Sequence, residues 1–493
     1  MLEYNLKKYG LFELSQNFKQ EQIQEQSSTR QVLRSFKKLE QIPSYLLSDF
    51  ALNLDKQCIS QELVGLIRKK MSTYRFSTKK LSLSLNMIAY STTTLQNLFN
   101  ALAQAEMCKC LQLYYCHNQV TSEVSEIIGR FMRYYFFLER VDLDISYCTD
   151  FSIKDVNNII SSIRKTLTHF SINFKSANIT DICLKHISKT MESFTKIQSL
   201  FIDLSQNQIT KAGVREFFYS LKQMNYLREL GLTYGGNNLE LKDVMFEVRN
   251  MKKLKSLYLG LQIPSSSNNL FFDDEAFEES FDYHSQFIEQ EKISQYCLIK
   301  SSDLIDLKQY VKELNELTSL SLNIQNQKYV SPYLNLLICP YLFHLKEVRI
   351  YTRGFSMQNQ DAQQLFYNMA HMENLISITL KLEENSLTSA IGEYLNYMIK
   401  RKYEQLIKLD VSFKSNILDE CCISDIFMPL FKCEYLTEFS FTIFDGDNFF
   451  YEEQNQDISM TFQRLLYFIQ SQCIIRQSIL LQTLIQNKVM QMK

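Results

Sequence analysis

The side chains that could do chemistry are present in this chain, but their spacing does not assemble it. Six histidines stand at His117, His169, His186, His284, His344 and His371, and no pair has metal-ligand spacing. Twelve cysteines are scattered from Cys58 to Cys473 without a CxxC pair or a Cys/His cluster, so no zinc site is expected. Cys421 and Cys422 are adjacent, and adjacent side chains diverge, so they read as packing rather than redox chemistry. Asp142 and Asp144 share one face of a strand. Without a pocket to drive their pKa values apart they read as interaction residues, not an acid/base pair. The phosphate-binding GxxxxGK[ST] and GxGxxG patterns, HExxH and GxSxG are all absent. No catalytic, cofactor or metal residue is assigned, and no cofactor is expected.

Composition narrows the class further. Of 493 residues, 45% are hydrophobic and 22% charged, ordinary for a chain that buries a core. Only 11 Gly and 5 Pro argue against long linkers. The net charge is -1, which argues against a generic nucleic-acid binder. Thiols without a disulfide pattern fit a reducing compartment, so a cytoplasmic location is expected, with the nucleus as the other choice. The opening MLEYNLKKYG has no apolar leader core, and no 18-residue apolar run predicts a membrane span.

The elements that must position everything else come from a repeat. An apolar xxLxL core recurs at Leu52, Leu83, Leu113, Leu143, Ile172, Ile202, Leu232, Leu259, Leu322, Ile350, Leu380, Val411 and Phe441. The intervals run from 27 to 31 residues, apart from 63 between Leu259 and Leu322. A fixed period of this length indicates a solenoid. Leu200–Leu221, LFIDLSQNQITKAGVREFFYSL, is the clearest unit. Ile202 and Leu204 alternate with Asp203 and Ser205 as in a strand, and Val214, Phe217, Phe218 and Leu221 follow at helical spacing. Between them stands Asn207, whose amide can satisfy backbone groups left without ladder partners at the turn. The same place, five residues after the marker, holds Asn118, Cys148, Asn237, Asn385 and Asn416 in other units. Seven units hold other residue types there, which makes an interrupted ladder the expectation.

These residues resemble the leucine-rich repeat family, and in particular its long-repeat, ribonuclease-inhibitor-like class with the pattern LxLxxNxIxxxGxxxL. The resemblance covers roughly residues 47–450 and is sharpest at 197–260. It implies an α/β fold: a curved solenoid, or horseshoe, of about 13 strand–turn–helix units, with parallel strands concave and helices convex. The solenoid is expected over 47–455, with a helical cap at 1–46 and another at 456–493. Residues 264–300 read as an insertion. PSSSNN (Pro264–Asn269) favours turns, and Leu270–Glu291 carries eight acidic residues among aromatics, with no Lys or Arg. A docking motif, a flap and a degenerate repeat stay open for it.

Strand residues flanking each marker should form the concave face. Tyr114, Asp142, Asp144, Phe201 and Asp203 make its first half acidic, with aromatic anchors. Tyr258 lies in the middle, and Arg349, Tyr351, Arg353 and Lys381 give a net basic second half. The expected function is a non-enzymatic protein-interaction scaffold or recognition subunit that binds a protein partner on this face, with the chain a monomer. Two alternatives stay open. One branch of the long-repeat class activates Ran-type small GTPases, although no Arg matching that branch is found here. A ubiquitin-ligase substrate adaptor would need residues 1–50 to bind a ligase subunit, and IPSYLLSDF (Ile42–Phe50) only faintly resembles an F-box start.

Overall fold

The computed structural model describes residues 48–148, 151–237, 239, 241–262, 310, 313–325, 338, 342–354, 357–418 and 420–442. The expected caps at 1–46 and 456–493 and the insertion at 264–300 lie outside the described residues. The chain divides into two compact units, Met1–Asn238 and Leu239–Lys493.

In the first unit seven strands run in chain order: β1 (Asp49–Asn53), β2 (Lys80–Ser84), β3 (Cys110–Tyr114), β4 (Arg140–Asp144), β5 (His169–Asn173), β6 (Ser199–Asp203) and β7 (Glu229–Thr233). Each pairs in parallel with the next. Parallel neighbours need a crossover, and a helix supplies it. The helices are α1 (Gln61–Thr73), α2 (Thr92–Leu102), α3 (Ser122–Arg133), α4 (Ile153–Ile160), α5 (Asp181–Met191) and α6 (Lys211–Leu221). Five of them start on a Ser or Thr whose side chain accepts a first-turn N–H: Ser60 from Leu63, Ser91 from Thr94, Thr121 from Val124, Ser152 from Asp155 and Thr210 from Ala212.

The second unit opens with α7 (Leu241–Val248) and continues through β8 (Ser256–Gln262), β9 (Ser319–Gln325), β10 (Glu347–Arg353), β11 (Ser377–Glu383), β12 (Lys408–Ser412) and β13 (Glu438–Thr442). These six strands also pair in parallel, in order. Helices α8 (Asn359–Ala370), α9 (Ile391–Lys402) and α10 (Glu420–Leu430) follow β10, β11 and β12.

All thirteen apolar markers fall on strands, and the register aligns them. Leu52, Leu83, Leu113, Leu143, Ile172, Ile202 and Leu232 stand opposite one another across the first unit. All seven are buried, and with helix residues such as Phe99 and Phe131, whose rings stack 4.4 Å apart, they form the core. In the second unit Leu259 sits directly opposite Leu322, so β8 and β9 are neighbours in the sheet despite the 63-residue interval.

The asparagines at the turns bridge neighbouring units, while Ile88 and Ala177, at the same place, have no side-chain amide with which to reach the unit before them. Asn207 Nδ2 donates to the carbonyls of Phe174, Leu204 and Ser205, while its Oδ1 accepts from the N–H of Ile179 at 2.8 Å and of Ala177 at 3.2 Å. Asn237 Oδ1 serves Ile209, Asn118 Oδ1 serves Ile88, Asn385 Oδ1 serves Met357 and Asn416 Oδ1 serves Leu387. Each amide therefore reaches back into the preceding unit. The units with Ile88 and Ala177 at the turn are themselves served in this way, by Asn118 and Asn207. At Cys148 the thiol reaches only carbonyls, those of Tyr115 and Ser146.

A further row, four residues after the marker, was not foreseen. Lys56, Met87, His117, Tyr147, Ser176, Gln206, Glu384 and Ser415 all have φ between 51 and 58°. Gly236 at φ 77° and Gly354 at φ 61° occupy the same place. The left-handed conformation costs a non-Gly residue about 1–2 kcal/mol. It turns each N–H onto the next unit: Lys56 donates to Asn86, His117 to Ser146 at 3.1 Å, Tyr147 to Lys175 at 2.8 Å, and Gln206 to Gly235 at 2.7 Å.

Candidate functional site

The open strand face is built from alternate residues held in register. In the first unit one row reads Ser82, Gln112, Asp142, Ser171, Phe201, Gly231 and the next Ser84, Tyr114, Asp144, Asn173, Asp203, Thr233. The five residues expected here, Tyr114, Asp142, Asp144, Phe201 and Asp203, thus come together on strands β3 to β6. Neighbouring strands lie about 4.8 Å apart, so these residues share a patch about 15 Å wide.

Contacts within the patch divide these residues by role. Asp142 accepts from Gln112 Nε2 at 3.0 Å and pairs with the exposed Arg140 at 3.0 Å. Asp144 takes its hydrogen bonds from neutral donors, Ser146 N–H and Asn173 Nδ2, both at 3.0 Å. Asp203 accepts from Ser205 N–H at 2.8 Å, and burial raises its carboxyl above the usual range. Asp144 and Asp203 therefore also close their own strand ends as Asx-turns, as Asn53 does for Asp55 and Asn173 for Lys175. The Tyr114 phenol is pushed up by burial and by the carboxylates of Asp142 and Asp144, which keeps it a neutral donor. Phe201 lies over Gly231, where an added Cβ would come within 2.2 Å of the ring. A glycine there lets the ring lie flat against the strand.

In the second unit the outward row Tyr258, Ser321, Arg349, Thr379, Asp410 lies beside Asn323, Tyr351, Lys381, Ser412. Tyr258 accepts from Asn323 Nδ2 at 3.1 Å. The basic half expected here is neutralised in place. Arg349 donates through Nε to Glu347 at 2.9 Å, Arg353 through Nε to Glu384 at 2.8 Å, and Lys381 reaches Asp410 at 2.6 Å. Lys408 pairs with Glu438 at 2.8 Å on the same face. Burial would raise Glu347, but hydrogen bonds from Arg349 and Ser319 outweigh it and hold the carboxyl low. The net basic expectation is corrected accordingly: it left out Glu347, two residues from Arg349, and Glu384, one strand across from Arg353.

Among the described residues no group of three or more His, Cys, Asp or Glu could hold a metal ion. The eight described cysteines are free, and burial pushes the Cys108 and Cys116 thiols up to about 12 and Cys148 to about 11, far from a nucleophilic thiolate. No helix among the described residues is long and apolar enough to cross a membrane.

Parallel strands joined by helices at a 27–31-residue period, with an Asn ladder at the strand exit, define a leucine-rich-repeat α/β solenoid. No protein family matches the chain by sequence, and no curated protein does. Among solved structures it is similar to internalin C2 from Listeria monocytogenes str. 4b F2365, at 15% identity over 54% of this chain and 84% of that one, with a TM-score of 0.25.

Proposed function

We propose that the protein is a non-enzymatic interaction scaffold of the long-repeat, ribonuclease-inhibitor-like class, and that its first unit binds a basic segment of a protein partner. One observation carries the reading. Asp142, Asp144 and Asp203 stand in register with Tyr114 and Phe201 on one face, and the bonds to Asp144 come from neutral groups. A carboxylate row with aromatic anchors suits Lys and Arg side chains on an extended partner. The internally paired charges of the second unit favour the first unit as the contact surface.

Affinity capture with mass spectrometry tests this. The variant is Asp142→Lys with Asp144→Asn, which reverses one charge, removes another and keeps the Asx-turn oxygen. A second variant is Tyr114→Ala. The expected result is a partner held by the wild type and lost from both, with unchanged melting curves. Identical partner sets in all three proteins would remove the strand-face assignment.

A further inference from the structure

In the first unit every helix-to-strand connection enters at the same end of the ladder, because the strands are parallel. A backbone chain stitches these connections together. Lys109 N–H donates to Lys79 at 2.7 Å, Glu139 to Lys109 at 2.8 Å, Thr168 to Glu139 at 2.9 Å, Gln198 to Thr168 at 2.8 Å and Arg228 to Gln198 at 2.8 Å. The result is one continuous rim.

Charge is segregated onto that rim. Residues 68–80, 104–110, 130–140, 161–169, 189–199 and 222–229 hold 16 Lys or Arg and four Asp or Glu. At the opposite end, residues 54–62, 85–94, 115–123, 145–155, 174–183 and 204–213 hold four basic and six acidic residues. Lys70 is buried, and Arg75, Lys109 and Arg140 pair with Glu106, Glu139 and Asp142; the rim windows still hold twelve more basic than acidic residues in a chain of net charge -1.

The same rim exposes large aromatics. Phe76 is 70% and Phe136 69% exposed, and Tyr134, Phe137 and Tyr226 are each at least half exposed. Rings left in water at such levels, set among cations, mark an interaction surface. The Arg164 guanidinium, from the next connection, lies 4.2 Å from the centre of the Phe136 ring.

We propose that this rim docks the protein on an anionic lipid surface, with the aromatic tips in the headgroup layer and the Lys and Arg side chains on lipid phosphates and carboxylates. A single-stranded nucleic acid is the less suitable occupant. Such strands are bound in a groove that tracks the backbone and offers open ring faces for stacking. Here the rings stand on turn tips, and Arg164 already covers one face of Phe136. Headgroups accept projecting aromatics and meet the cations as a sheet of charge.

The test is co-sedimentation of the full chain with vesicles of phosphatidylcholine alone and with a quarter phosphatidylserine. Binding is expected only to the anionic vesicles, and it should fall steeply as salt rises. Each cation lost near an anionic surface lowers partitioning by about fivefold. Lys79, Lys165 and Lys196 are exposed on three different connections. Changing all three to Glu should lower binding by about a hundredfold or more. Phe136→Ser with Phe137→Ser should weaken it without changing its salt dependence. The neutral set Lys79→Gln, Lys165→Gln, Lys196→Gln covers the case in which charge reversal perturbs folding. No wild-type binding to anionic vesicles, binding undiminished in the variants, or binding to a single-stranded RNA oligomer without vesicle binding would each overturn the proposal.

Discussion

Replacing Asn207 with Leu should strand one particular backbone group. Of the three carbonyls that Nδ2 serves, each keeps another donor: Phe174 O has Ala177 N–H at 3.1 Å, Leu204 O has Asn237 Nδ2 at 2.7 Å, and Ser205 O has Ser176 N–H at 3.0 Å. Ala177 N–H keeps Phe174 O. Ile179 N–H loses its acceptor, Asn207 Oδ1, and the residue is fully buried. A stranded buried amide costs about 1–3 kcal/mol, and losing secondary bonds adds a fraction more. A net loss of about 1–3 kcal/mol follows, which opens the local structure about 5- to 150-fold more often. Amide exchange read at Ile179 is the right assay, because repeat arrays open unit by unit and one global midpoint blurs the effect. Asn416→Leu is a second test: Leu387 is also fully buried and its N–H donates to Asn416 Oδ1, so a loss of similar size is expected there. Unchanged exchange at Ile179, or a cost below about 0.5 kcal/mol, would refute the ladder's energetic role.

Other outcomes follow from the face and the core. Gly231→Ala should force the Phe201 ring off the strand at about 1–3 kcal/mol, and in a Phe201→Ala background the penalty should shrink, a coupling that a double-mutant cycle reads directly. Asp203→Asn should raise stability at pH 7, because a buried carboxyl with a raised pKa costs stability as pH climbs from its unfolded towards its folded value. The gain should vanish in acid, where Asp203 is protonated in both states, and urea midpoints across pH check it. Lys402, buried and donating to Met372 O, is held down to about 8, so the unfolded chain binds its proton more tightly between 8 and 10.5. Wild-type stability should therefore gain from this group as pH rises through that window, and Lys402→Met should remove the gain, about 1–3 kcal/mol.

The markers were legible in the sequence because a half-buried strand must alternate and a repeat multiplies that signal thirteenfold. The Asn positions were legible for the same reason. The left-handed row was not, because Lys, Met, His, Tyr, Ser, Gln and Glu share no property that marks it. Only Gly236 and Gly354 betray the conformation, and the backbone bond to the next unit offsets its strain elsewhere. The second role of Asp144 and Asp203 left a trace that went unread: Asn53 and Asn173 hold the same register place, and Asn and Asp interchange where an Asx-turn needs one oxygen. Arg349 and Arg353 were misread because Glu347 and Glu384, which neutralise them, lie outside the residues counted on that face.

The Asn ladder points in one direction, always from a later unit back to an earlier one. A nascent chain leaving the ribosome therefore carries a provisional last turn, whose buried N–H stays unanswered until about thirty more residues have emerged. Ile88 waits for Asn118, Ile179 for Asn207 and Ile209 for Asn237. Deletions from the two ends should accordingly differ in kind: a cut from the carboxyl side removes the Asn acceptor of a buried turn amide in the unit left behind, while a cut from the amino side removes no such acceptor. Synthesis order is written into the turns as a ratchet, each unit sealing its predecessor.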